Sequence, residues 1–275
     1  MTCKVVKVYN NNLVLASDET GKQLVVISKG IGFGRKSGES FQVQNNGEQL
    51  FYILDDSANP SQLQQLGLDL EKVSEAVAQA VEIAKNTLEI DNDNLYDALM
   101  DHVGFAIQRL KMGLSIDNPF VEEISVLYSK EYELAQQAAE IINQAVDINL
   151  GQAECGFIAL HLNSARKKKP ISYVMKTPRV YSDILDLIGK RFEITIVTET
   201  TSCRSLLLSI DWLVRLSARG YVLENKLMPG TRQLLPEYIR MAEEIAGIVQ
   251  DEMSVALCPE HQAFLAMDIY RFVQL

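Results

Sequence analysis

Histidine and cysteine are scarce in this chain: three and four of them in 275 residues. Cys3, Cys155, Cys203 and Cys258 stand far apart with no C-x-x-C pair. That excludes the usual zinc spacings and a disulfide framework, and it points to reduced thiols in a cytoplasm. No apolar run approaches the roughly 20 residues of a membrane span. The start, M-T-C-K-V-V-K, lacks the zones of a signal peptide, so no membrane insertion is expected. Also absent are G-x-S-x-G, a P-loop, H-E-x-x-H and a cysteine beside a histidine, which leaves no catalytic residue, metal site or cofactor to name.

Basic residues are outnumbered overall, giving a net charge of −10. The deficit is uneven. Residues 1–50 carry six Lys and Arg against four Asp and Glu, a balance of +2, so the remainder carries −12. Contact with a polyanion is therefore expected only in the first module, a small reader attached to an acidic body.

The stretch V-V-I-S-K-G-I-G-F-G-R-K-S-G, residues 25–38, begins as a β-branched strand and then breaks into alternating glycines. Gly30, Gly32 and Gly34 permit close backbone approach, Lys29 and Arg35 supply cations, and Phe33 offers a ring for stacking. This is what recognition of an unstacked base on an RNA phosphate chain requires. A Gly-rich hairpin with ordinary surface lysines explains the stretch as well. Asn10 and Asn12, beside Lys7, suit either base-edge contacts or a turn.

Residues 2–54 read as short strands: C-K-V-V-K-V-Y, which alternates imperfectly, then L-V-L-A-S, K-Q-L-V-V-I-S, and a fourth in F-Q-V-Q or L-F-Y-I-L. A sheet this small buries a thin core and is expected to pair with a second copy. D-D-S-A-N-P-S-Q, residues 55–62, is the expected linker. Helical periodicity follows over 70–88, 94–112, 119–128, 131–146 and 152–165. K-K-K-P, residues 167–170, is a second linker candidate, with a second helical set starting near Pro178. The sets look duplicated at a period near 105 residues: E-C-G-F-I-A-L-H-L (154–162) resembles H-Q-A-F-L-A-M-D-I (261–269), and Y-E-L-A-Q-Q resembles Y-I-R-M-A-E. The fold class is thus multidomain, a small antiparallel β-sheet domain followed by two homologous all-α helical bundles.

His102 and His161 each interrupt an apolar helical stripe. A neutral imidazole can accept a phosphoryl group and so gain strong negative charge at a domain interface. A buried structural histidine and metal ligation by His102, His161 and Asp101 are the other two readings.

K-V-Y-N-N-N with S-K-G-I-G-F-G-R-K-S-G, then D-H-V-G-F-A-I-Q-R with I-D-N-P-F-V-E-E-I, and finally F-I-A-L-H-L occur in one order. In these motifs the whole chain resembles the sugar-responsive transcriptional antiterminators of the BglG, SacY and LicT type. The resemblance implies a co-antiterminator RNA-binding domain over 1–56 and PTS regulation domains over 63–168 and 172–275. It implies that Lys7, Asn10, Asn12, Lys29, Gly30 and Phe33, with Ser28 where relatives often have Gly and Arg35 beside them, meet an mRNA hairpin as a dimer and prevent a terminator from forming. It makes His102 and His161 the phosphoryl acceptors, a PTS sugar permease the donor, and the protein no enzyme. Ser209 and Asp268 stand at the second domain's acceptor positions, so activation there by the carrier HPr is not carried over. The rival from another class is a protein-interaction regulator whose sheet only dimerises; a phosphotransferase would need a nucleotide site, and none is evident.

Overall fold

The computed structural model describes residues 2–10, 13–21, 23–27, 31–32, 34–42, 50–53, 70–111, 114 and 116–274. The linker expected over 55–62 lies outside them. The chain divides into two compact units, one holding the sheet and one holding all the described helices.

The sheet has five antiparallel strands, β1 (Thr2–Asn10), β2 (Leu13–Asp18), β3 (Gln23–Ile27), β4 (Ser40–Gln42) and β5 (Leu50–Ile53), in the order β4-β1-β2-β3-β5. Both candidates for a fourth strand therefore form, β4 on the β1 edge and β5 beside β3. The imperfect alternation of β1 has a physical cause. Val5 pairs with Ala16 but Lys7 pairs with Leu15, so Val6 is an extra residue, a bulge. Cys3 and Val5 face the core, and after the bulge Val8 also turns inward. Val14, Ala16, Leu24, Val26, Ile31 and Phe41 complete this thin core.

In the helical unit α1 (Leu70–Leu88), α2 (Leu95–Lys111), α3 (Val121–Leu127), α4 (Ser129–Val146) and α5 (Gln152–Lys167) are followed by α6 (Ile171–Phe192), α7 (Thr201–Ala218), α8 (Met228–Leu234), α9 (Pro236–Met253) and α10 (Pro259–Val273). The second five repeat the first in order. From α2 onward the offset is 107 residues and holds to the hydrogen bond: Tyr132 N–H donates to Tyr128 O and Ile239 N–H to Leu235 O, while Asp147 and Ser254 both close their helices at positive φ. At α1 and α6 the offset is 104, because Glu89 and Glu193 are the matching left-handed residues. The duplicate of Tyr132 is thus Ile239, one place beyond the Tyr238 that side-chain likeness suggests.

Two boundaries differ from the sequence reading. Lys167 is still helical and α6 starts at Ile171, so K-K-K-P is a tight helix-to-helix turn with Lys168 in the left-handed region. Pro178 does not start the second set; it lies buried inside α6. A proline has no N–H for the carbonyl four residues earlier. Here that carbonyl, Val174 O, accepts from the Tyr128 hydroxyl at 2.8 Å, so the first helical set supplies what Pro178 omits.

Candidate functional site

The expected RNA face falls partly on described residues. Lys7 projects from the exposed side of β1 directly after the bulge. The segment after the Gly-rich stretch is fastened to that bulge: Val5 N–H donates to Glu39 O at 2.8 Å, Gly38 N–H to Val5 O at 2.7 Å and Ser37 Oγ to Val6 O at 2.8 Å. Gly38, at φ 89°, adopts a backbone few side chains tolerate. Arg35 is half-buried. Its Nε donates to Ile31 O at 2.7 Å and its guanidinium lies 4.8 Å over the Phe41 ring, so one edge of it holds the turn in shape. Asn10 ends β1; Asn12, Ser28, Lys29, Gly30 and Phe33 lie outside the described residues.

The helical unit brings His102, on α2, and His161, on α5, to a ring-centroid separation of 5.0 Å. Phe157, one turn before His161, packs on the His102 ring at 5.8 Å. Beneath them is a buried charged node. His102 Nε2 lies 3.0 Å from Glu154 Oε2, and Arg109 ion-pairs with Glu154 Oε1. Neither His102 Nε2 nor Glu154 Oε2 has a hydrogen bond of regular geometry, so their approach is a close electrostatic contact slightly out of line. Arg109, 2% exposed, also donates from Nε to Leu114 O at 3.0 Å. Burial alone would raise the Glu154 carboxyl, but His102 and Arg109 together hold it below the usual carboxylate range. The His161 imidazole is pushed down to about 3 by burial and then by His102, so it is neutral near pH 7.

The backbone that carries Glu154 is pinned in turn. Asn118, in the D-N-P-F stretch, donates from Nδ2 to Ala153 O at 3.4 Å and accepts from Phe120 N–H at 3.1 Å. A Cβ at Gly156 would come within 2.6 Å of Asn118 Nδ2, so the pinning requires glycine there.

The second repeat keeps the pin and changes the site. Asn225 donates to Glu260 O at 3.4 Å and accepts from Leu227 N–H at 3.0 Å, 107 residues on from Asn118. His102, Glu154 and His161 become Ser209, His261 and Asp268. Ser209 Oγ donates to Asp268 Oδ2, and Arg271 lies 3.2 Å from Asp268 Oδ1. His261, 0% exposed, sits in the first turn of α10, two residues after Pro259 opens the helix. Its Nε2 accepts from Leu223 N–H at 3.1 Å, so its proton is on Nδ1, which donates to Ser217 Oγ at 2.7 Å. This is a structural histidine, held neutral by burial.

Sequence reasoning singled out both histidines but missed Arg109 and Glu154. A signal existed: each lies seven residues, two helical turns, from its histidine and so on the same face. Asp101 is exposed, and no group of three His, Cys, Asp or Glu side chains able to hold a metal occurs among the described residues. No described helix is long and apolar enough to cross a membrane.

Comparison with known proteins agrees with this division. A CAT RNA binding domain model matches residues 3–59 and a PRD domain model matches residues 74–165. Protein GlcT of Staphylococcus saprophyticus is 28% identical over 274 residues, covering 98% of this chain and 97% of that protein. Protein GlcT of Staphylococcus epidermidis is 28% identical over 271 residues, covering 98% and 96%. A solved structure described as the crystal structure of GlcT CAT-PRDI is 34% identical, covers 60% of this chain and 98% of that one, and superposes with a TM-score of 0.34. With an RNA-binding module over the five-stranded sheet and a PRD domain over the helices that carry His102 and His161, the chain belongs to the family of CAT–PRD transcriptional antiterminators.

Proposed function

We propose that this antiterminator is switched by phosphorylation of its first helical repeat alone. In this reading residues 1–56 bind an mRNA leader hairpin as a dimer through Lys7, Asn10, Asn12, Ser28, Lys29, Gly30, Phe33 and Arg35. Residues 63–168 form PTS regulation domain 1, which takes phosphate on His102 or His161 from a sugar permease, and residues 172–275 form a second, degenerate regulation domain. The observation that carries the reading is the contrast between the paired, closely packed imidazoles of one repeat and the Ser209–Asp268 pair of the other. A carboxylate and a hydroxyl cannot accept a phosphoryl group as histidine does. Phosphohistidine adds nearly two negative charges at neutral pH, on a body already at −12, and would oppose close approach of two copies. Sugar transport drains phosphate from the permease and releases the protein.

A terminator–reporter fusion tests this. His102→Ala, alone or with His161→Ala, should give antitermination without the inducing sugar, and deletion of HPr should leave activity in place. His102→Ala that stays sugar-dependent, or activity lost without HPr while residues 1–56 still bind RNA in a gel shift, overturns it. Absence of salt-sensitive RNA binding by that module would favour a protein-interaction regulator instead.

A further inference from the structure

We infer that His102 and His161 form a single acceptor that holds one phosphoryl group at a time. The inference rests on the phosphorylation reading above and concerns what it leaves open, the number of phosphates and where they sit. With ring centroids 5.0 Å apart, the two imidazoles share one space, bounded by Phe157 on one side and by Glu154 and Arg109 below. A phosphate on either ring occupies the mouth of that space with about two negative charges. A second would have to form within a few ångströms of the first, beside the Glu154 carboxylate and where solvent screens poorly, a repulsion large against thermal energy. Arg109 cannot relieve it, because its guanidinium is already buried against Glu154 and Leu114 O.

The chemistry also ranks the two rings. In the transfer, the lone pair of an unprotonated imidazole nitrogen attacks phosphorus, an N–P bond forms, and the bond from phosphorus to the phosphorylated donor protein breaks with its electron pair returning to the donor. The attacking ring keeps its other N–H and becomes transiently cationic. On His102 that N–H side faces Glu154 Oε2 at 3.0 Å, so the developing positive charge meets a carboxylate and the opposite nitrogen, Nδ1, is the one left to attack. Among the described residues no carboxylate acts on His161 as Glu154 acts on His102: only burial and the His102 ring bear on it, and Glu154, seven residues before it on α5, is committed to His102 and Arg109. His102 is therefore the favoured position, Glu154 is a positioning residue, and His161 receives phosphate when His102 is absent.

The test phosphorylates the full chain to saturation with potassium phosphoramidate, a small phosphodonor that needs no permease, and counts phosphates by intact mass at neutral pH with peptide mapping. Wild type should carry one phosphate over residues 102 and 161, mainly on His102. His102→Gln and His161→Gln should each still carry one, and the double variant none. Doubly modified chains should be at least roughly tenfold rarer than singly modified ones. Glu154→Gln should move phosphate from His102 towards His161, and circular dichroism identifies a variant that has failed to fold. If so, Glu154→Asp, whose shorter arm keeps a charge for Arg109 and withdraws it from His102 Nε2, supplies the same readout. Two phosphates on one chain at His102 and His161 overturn the inference and leave the phosphorylation reading standing. No phosphate on His161 in His102→Gln also overturns it, since the acceptor would then be His102 alone. Phosphate on neither residue in the wild type overturns both.

Discussion

The first and second helical repeats share helices, offsets and the asparagine pin, yet each spends its buried polarity differently. In the first, the buried node is ionic: Arg109, Glu154 and His102 converge beneath a neutral His161. In the second, the same place holds a neutral His261 bonded to a serine and a backbone amide, and the charge lies outside, on Asp268 and Arg271. The lesson is that a scaffold can be copied whole while its chemistry is moved from core to surface. A buried ion pair is poor at adding stability, but breaking it is costly. Its retention only where two histidines meet points to a role in the site.

Removing one partner of each node should give the largest separation between the repeats. Arg109→Ala should cost on the order of 3 to 5 kcal/mol, because Glu154 would be left charged and buried. Ser217→Ala leaves one N–H of His261 unpaired and should cost about 1 to 3 kcal/mol. Urea unfolding monitored by circular dichroism compares them. Equal losses would mean that the first node is no more committed than the second.

The next effect is a pH dependence that belongs to His161. Its folded pKa, about 3, lies below the unfolded value near 6.5. Between these the unfolded chain binds the proton and the folded chain does not, so stability falls as pH drops below about 6.5. At pH 5 the loss relative to pH 7 should be about 2 kcal/mol from this residue. His161→Asn should remove that share, measured as the difference in unfolding free energy at the two pH values. His261, also depressed, acts with the same sign and remains in the variant as the internal comparison. A slope unchanged by His161→Asn would place the sensitivity elsewhere.

Much of this arrangement was legible in the sequence, and all but one of the exceptions share one cause. Periodicity located the five helices of the first set, the likeness of 154–162 to 261–269 put Asp268 opposite His161, and the family resemblance put Ser209 at the other acceptor position. What local pattern could not show was long-range hydrogen bonding. Pro178 reads as a helix start until Tyr128 is seen to satisfy Val174 O; β1 reads as a poor strand until the Gly38 and Glu39 backbone closes on its bulge. Arg109 and Glu154 were missed because each one's partner is on another helix. The short helix α8 escaped because it presents little apolar periodicity, with Thr231 its one buried residue.

Tyr128→Phe tests the bridge between repeats. It removes the hydroxyl that serves Val174 O, and should cost about 1 to 2 kcal/mol with the ring packing kept. Restoring Pro178→Ala in the same chain gives α6 its own N–H for that carbonyl. Much of the loss should then return, in a double-mutant cycle read by thermal unfolding. Independent, additive effects would mean the tyrosine does not stand in for the missing amide.

The smallest effect should come from the site that replaced the histidines. Asp268 is one-quarter exposed, its partner Arg271 is mostly in solvent, and Ser209 is part-buried beside it. Exposed ion pairs are worth little because solvent screens them and ordering the side chains costs entropy. Asp268→Asn keeps the shape and a hydrogen-bond acceptor for Ser209 while deleting the charge, so it should change stability by less than about 1 kcal/mol. If the second repeat acts through a fixed negative charge, the same variant should nevertheless lower antitermination in the reporter, whereas Ser209→Ala, which keeps the charge, should not. A large stability loss in Asp268→Asn would instead make this pair a buried node like Glu154 and Arg109, and the contrast between the repeats would then lie in the kind of node rather than in whether one is built.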